Sequence, residues 1–193
     1  MVGRATWRAL GGLRIERGKR LAMLLCTVAA ACVVGAVHAA PTTTFVSKRY
    51  GYSISFPGGA GDWSARYAFV PWSTDVIEPG SPAFDTFLDN GTGRQFVIAA
   101  RRPPTGSTLA DWTGFVAGAV RCTKPKAFSD STLAGAPARV FSWICPEQYH
   151  VIGIAAVHDS LGYVMFVPSP VTLPSASNES AFEAARLSFH FTK

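Results

Sequence analysis

The residues best suited to chemistry are few and far apart. Acyl transfer needs a nucleophile, a base within reach and a place for the oxyanion. Three histidines follow residue 39, namely His150, His158 and His190. His150 and His158 belong to one strand-like run, and their separation at the rise of a strand is about 26 Å, too far to share a metal ion or a substrate atom. The nearest approach to a Gly-x-Ser-x-Gly elbow is Gly51-Tyr52-Ser53-Ile54-Ser55. It lacks the second glycine and has the alternation of a strand, so its serines read as a polar face. Neither His-Glu-x-x-His nor a Gly-x-x-x-x-Gly-Lys phosphate loop is present. His158-Asp159-Ser160 is the one compact polar cluster; neighbours on a strand point to opposite faces, which makes it a polar strand end. Asp62, Asp75, Glu78, Asp85 and Asp89 are scattered through loops and strand ends and read as solvated acids, not a glycosidase pair. The expectation is no catalytic residue, no metal and no cofactor.

Candidate contact residues are easier to find. Arg101 and Arg102 precede a helical stretch, and Arg121, Lys124 and Lys126 follow it. They read either as a basic patch for an acidic partner or anionic lipid surface, or as solvated element ends. Trp63, Trp112 and Trp143 read as core. Trp72 lies between prolines in a stretch without period, where an exposed aromatic would mark a contact site. That segment, Trp72 to Pro82, and the loop Pro168 to Pro174 are the expected contact region.

The elements that must position these residues follow from periodicity. Thr43 to Phe56 alternates as a strand, with Tyr52, Ile54 and Phe56 on one face. After the break at Pro57 to Gly61, Trp63, Ala65, Tyr67 and Phe69 repeat the pattern, predicting a second strand antiparallel to the first. Ala83 to Leu88 and Arg94 to Arg101 flank an Asn90-Gly91 step and form a hairpin. Thr108 and Asp111 make a capping box for a helix ending near Arg121, with Leu109, Trp112, Val116, Ala119 and Val120 on its inner face. Ala127 to Leu133, Ala138 to Cys145, Tyr149 to His158 and Tyr163 to Val167 follow as strands, the third of them apolar enough to be covered on both faces. A short helix over about Asn178 to Leu187, with Ala181, Phe182 and Ala185 inward, precedes an edge strand or tail at Phe189 and Phe191. Strands, helix, antiparallel strands, helix is an α+β order.

Residues 1 to 39 have a separate character. Leu21 to Val37 carries no charge, and the twenty residues before it hold six Lys/Arg against one acid. Val37-His38-Ala39 then supplies the small residues a signal peptidase reads. A signal peptide or an N-terminal membrane anchor is expected over 1–39, and a single domain over 40–193. Lipidation at Cys32 is a further alternative, although the apolar continuation Val33 to Val37 does not suit it. Without the leader, the net charge of +6 falls to 12 basic against 11 acidic residues, which removes the electrostatic case for nucleic acid. All 13 prolines and 22 aromatics lie in the domain, as suits short elements around a full core. Cys26 and Cys32 sit in the leader; Cys122 and Cys145 stay together in an exported domain, where a disulfide is expected.

Tyr50-Gly51-Tyr52-Ser53-Ile54-Ser55-Phe56-Pro57 with the following Trp63 resembles the opening of PsbP-like domains. Leu133-Ala134-Gly135-Ala136-Pro137-Ala138 is similar to that family's mid-sheet turn. Gly162-Tyr163-Val164-Met165 and the ending Phe182 to Ser188-Phe189 occur in the matching order. The resemblance spans roughly residues 44 to 191 and implies an α+β fold, an antiparallel sheet covered by helices. That fold is shared by PsbP proteins of photosystem II, a yeast import factor that binds the Ran GTPase, and bacterial envelope proteins including actinobacterial lipoproteins. It carries no catalytic residue, since such domains serve mainly as binding and accessory modules. The expected function is therefore an exported, periplasmic or extracellular binding module of a bacterial envelope, with an unidentified protein or small ligand as partner. Membrane contact is expected only through an uncleaved or lipidated N-terminal segment. The alternatives are an envelope hydrolase with a Ser/His/acid site assembled from distant segments, and a membrane- or lipid-anchored surface protein.

Overall fold

The computed structural model describes residues 41–78, 80–120, 128–145, 149–170 and 175–193. The expectations for the leader, Cys26, Cys32, Cys122, Arg121, Lys124, Lys126 and the part of the Pro168–Pro174 loop beyond Pro170 lie outside them. Ten strands form two antiparallel sheets among the described residues. The small sheet has the order β1 (Thr42–Ser47), β2 (Tyr52–Pro57), β10 (His190–Phe191). The large one contains β3 (Trp63–Arg66), β4 (Asp85–Asp89), β5 (Gln95–Arg101), β6 (Phe128–Leu133), β7 (Ala136–Cys145), β8 (Tyr149–His158) and β9 (Leu161–Pro170) in the order β3-β4-β5-β9-β8-β7-β6. Two helices accompany them, α1 (Leu109–Ala119) and α2 (Ser175–Ser188).

Adjacent residues of β9 show which layer covers which face. A Cβ on Gly162 would lie 2.5 Å from the Trp112 ring, so α1 rests on the face to which Gly162 turns its bare side. Tyr163 points the other way, toward Phe189 and Phe191. On that second face Phe45 meets Phe87 at 5.1 Å and Phe56 meets Phe96 at 4.8 Å, so the small sheet covers it. α2 lies there too, burying Phe182 and Ala185 as its spacing predicts. The large sheet is covered on both faces, and the buried apolar cluster drawn from both sheets and the helices runs from Tyr50 to Phe189. The segment after residue 40 thus contains its own core.

The capping box forms as predicted. Thr108 N donates to Asp111 Oδ2 at 2.8 Å and Asp111 N to Thr108 Oγ1 at 3.2 Å, which satisfies amides that the first helical turn leaves without partners. The β4–β5 hairpin is also present, but its turn works differently. The positive φ belongs to Gly93 (72°), not to Asn90-Gly91, because the Asp89 carboxylate accepts from the amides of Gly91 and Thr92 and organises the loop itself.

Three expectations are corrected. Thr43 to Phe56 is two strands, folded back at Lys48–Gly51, where Gly51 has φ 68° and donates to Ser47 O. β3 pairs with β4 and not with the first strand. The short helical turn Ala60–Asp62 carries the chain into the other layer, and β3 ends at Arg66, where Ala68 N turns to the buried carboxylate of Asp85 at 2.6 Å. Pro168 and Pro170 belong to β9, paired with Val151 and Tyr149. The pairing of β9 with β5 stops at Phe166, so among the described residues no strand pairs with these prolines on that side, where a missing N–H costs little.

Candidate functional site

Of the contact residues expected around α1, Trp72 and Arg101 are engaged within the fold, while Arg121, Lys124 and Lys126 lie outside the described residues. Trp72 is only 5 % exposed. Its ring packs edge-on against Phe84 at 5.1 Å and Trp112 at 5.8 Å, so the proline-rich loop serves to fold it onto α1. Ile77, in the same segment, is buried and donates its amide to Ala119 O. Arg101 is pinned by Thr74 O and Asp75, and its guanidinium lies 4.7 Å from the Phe115 ring centroid and 5.7 Å from that of Trp72. It seals the aromatic cluster and offers no free cation. Arg102 is exposed. Trp63, Trp112 and Trp143 are core residues, as read from the sequence.

The acids do not remain uniformly solvated. Asp85 is wholly buried beneath the junction of the two sheets, accepting from Ala68 N and from Tyr52 Oη at 2.8 Å. Burial, and then the field of Asp85, holds the Tyr52 phenol well above its usual pKa, so it stays a donor. Asp89 and Asp62 border an open cavity of about 260 Å³ whose floor includes the stacked pair Phe56 and Trp63. Partial burial works to raise the Asp89 pKa, but hydrogen bonds from Thr92 and Gly91 together with Arg94 bring it below the ordinary value. Arg94 is itself engaged by Asn178 and Ser177, and Asp62 by Gly59 N. The charged groups of this cavity are thus each already engaged.

The histidines are separated, with one surprise each for two of them. His158 does reach its neighbour, with Nε2 3.4 Å from Asp159 Oδ2. Asp159 has left the strand with φ 46°, so the opposite-face argument does not apply to it. The His158 ring stacks on Phe191 at 3.9 Å. His150 Nε2 lies 2.6 Å from Ser142 Oγ across the β7–β8 pairing. Among the described residues no carboxylate bonds His150, so a nucleophile and a base are adjacent without an acid to orient the base. Nor does a cluster of three or more metal-ligating side chains occur among the described residues. Cys145 ends β7 on the face of Phe141 and Trp143, which is the face α1 covers.

The strongest contact feature was hidden by the strand reading of residues 63 to 69. Because β3 stops early, Tyr67 to Val70 form a ledge outside the ladder, and Phe69 is 68 % exposed, the most exposed large apolar residue among those described. Tyr67 and Val70 are also exposed, as is Val46 of β1. The ledge is held tightly. Arg49 donates to Ala68 O at 3.1 Å and Phe69 O at 2.9 Å, while the amides of Phe69 and Val70 both turn to Pro82 O. Arg66 reaches from its base to the carbonyls of Gly80 and Ser81. In the sequence the one sign was a dense apolar run closed by Pro71, which ends a strand before the run does.

No family model matches the sequence, and none of the curated proteins does. Solved structures do match. The chain is similar to the cyanobacterial PsbP protein, CyanoP, of Synechocystis, with a TM-score of 0.54 at 15% identity, covering 81% of this chain and 96% of that one. It is also similar to LpqN of Mycobacterium tuberculosis, a protein involved in cell envelope biogenesis, with a TM-score of 0.51 at 13% identity, covering 79% of this chain and 91% of that one. An antiparallel seven-stranded sheet between helices and a small sheet, matched over nearly the full length of both neighbours, is the PsbP-like fold, as the sequence motifs implied.

Proposed function

We propose that this chain is an exported accessory module of a bacterial envelope, binding through the Tyr67–Val70 ledge. The basic and apolar leader supports export, and the fold is one that an envelope-biogenesis protein also uses. The observation that carries the reading is Phe69, largely exposed on a backbone fixed by Arg49 and Pro82. An aromatic already held in place loses little entropy when a partner covers it. A Cys122–Cys145 disulfide would tie the segment after α1 to the covered face of the sheet, a bond that persists in the oxidising surroundings of an exported domain. The test is photo-crosslinking with benzoyl-phenylalanine at position 69 in cells. Crosslinks to an envelope component support the reading, and their absence there, when an equivalent probe at exposed Leu187 does crosslink, sinks it. N-terminal mass analysis separates the processing states: a chain beginning at Ala40 is exported and cleaved, an intact start is anchored, and a lipidated Cys32 is a lipoprotein.

A second reading, an envelope hydrolase, is favoured by the Ser142–His150 bond alone. Turnover of ester, peptide or glycan substrates that vanishes in Ser142→Ala with an unchanged melting curve would establish it over the binding reading.

A further inference from the structure

We propose that the ledge docks on an anionic lipid bilayer, with Phe69 and Val70 entering the interfacial region and Lys48, Arg49 and Arg66 meeting the headgroups. The inference rests on the ledge being the contact surface and names what it contacts; it adds a membrane contact to any made by the N-terminal segment.

Charge complementarity is the first argument. The five ion pairs among the described residues join Arg94 to Asp89, Arg101 to Asp75, Arg139 to Asp130, His158 to Asp159 and Arg186 to Glu183. None involves Lys48, Arg49 or Arg66, all three of them exposed. Arg49 and Arg66 instead rest on backbone carbonyls at the ledge and its base, which fix their position without cancelling their charge. Of the acids that approach, Asp85 is fully buried and engaged by Ala68 N and Tyr52, and Glu78 is exposed beside Ser81. Two cations fixed on carbonyls, Arg49 and Arg66, and the exposed Lys48 thus stand against one exposed acid around an apolar tip.

Shape is the second argument. Both Phe69 and Val70 turn their amides inward to Pro82 O, and their side chains stand exposed to solvent. A folded acidic partner would need a complementary pocket for them. A bilayer interface receives any convex apolar tip, and the combination of aromatic and basic residues is what such an interface holds. Each cation near an anionic surface contributes about fivefold to the binding constant, and Phe69 about tenfold or more on burial.

The experiment uses the chain from residue 40, which has its own core and lacks the apolar leader that would enter lipid by itself. Co-sedimentation is measured with vesicles of phosphatidylglycerol mixed with phosphatidylcholine, with phosphatidylcholine alone, and with immobilised polyglutamate. The expected result is binding to the anionic vesicles only, weakened by salt. Phe69→Ala should lower it about tenfold and Lys48→Glu at least fivefold, both with unchanged melting curves since both side chains are exposed. Lys48 holds nothing through its ammonium group among the described residues, so its variant remains informative if Phe69→Ala were to misfold. Equal binding to both vesicle types, no vesicle binding, or variants that bind like the wild type would overturn the proposal. Retention on polyglutamate without vesicle binding would assign the ledge to an acidic polypeptide. Protein crosslinks from position 69 in cells, with no vesicle binding, would leave the contact reading standing and remove only the bilayer.

Discussion

Replacing Trp72 by Ala should destabilise the domain by about 2 to 4 kcal/mol, although its surroundings in the sequence suggest a surface loop. Removing a buried Trp costs about 3 to 5 kcal/mol through lost apolar contact and the cavity left behind. Here the indole N–H is buried with no hydrogen-bond partner. Its removal relieves a desolvation cost of about 1 kcal/mol or more, which lowers the net effect. Trp112 is the control, equally enclosed but donating from Nε1 to Tyr163 O at 2.8 Å. Trp112→Ala also deprives that carbonyl of a donor and should cost about 1 to 2 kcal/mol more than Trp72→Ala. The phenylalanine variants isolate the polar difference: Trp72→Phe should cost under about 1.5 kcal/mol, and Trp112→Phe clearly more. Urea unfolding followed by far-ultraviolet circular dichroism measures all four. In thermal melts, at about 2 to 4 °C per kcal/mol for a domain of this size, Trp72→Ala should melt about 5 to 15 °C lower. A loss below about 0.5 kcal/mol for Trp72→Ala, as for an ordinary surface substitution, would refute its burial. Trp72→Phe proving more costly than Trp112→Phe would refute the hydrogen-bond argument.

The buried phenols predict alkaline sensitivity. Tyr52, with its pKa raised well above 10.0, keeps its proton in the folded chain after the unfolded chain has lost it. Stability is therefore full below about pH 10 and falls above it, by about 1.4 kcal/mol per pH unit from this group; urea midpoints across that range measure the slope, which Tyr52→Phe should flatten. Gly153→Ala places a methyl group 2.2 Å from the Phe141 ring, and overpacking of this kind should cost about 1 to 3 kcal/mol in the same unfolding assay. Cys145→Ala should lose about 2 to 5 kcal/mol if the proposed disulfide closes the loop to Cys122; two free thiols in the denatured, unreduced domain would contradict that bond.

Much of the architecture was legible because it depends on neighbours in the chain. The Thr108–Asp111 cap, the inner face of α1 and the strands β6, β7 and β8 each follow from local spacing, which the backbone converts directly into a face or an end. Partners are another matter. The alternation of Trp63, Ala65, Tyr67 and Phe69 is compatible with a full strand in any sheet; it was the competition of Asp85 for Ala68 N that stopped β3 and exposed Phe69. Pro168 looked like a loop residue because a proline breaks a paired strand, and only the β5–β9 ladder beginning at Val97 and Phe166 leaves that position outside the pairing with β5.

The candidate site divides along the same line. Residue types and spacing alone determined that the domain is α+β, that residues 1–39 differ from it in charge and apolar content, and that no local motif assembles a nucleophile, base and oxyanion hole. Tertiary structure alone decided that Trp72 and Arg101 are packed against α1, that Ser142 meets His150 across two strands, and that Phe69 stands on a ledge among unneutralised cations. The reason is physical: exposure and charge neutralisation depend on residues tens of positions away, Arg49 for Phe69 and Asp75 for Arg101, and no period within one segment reports them.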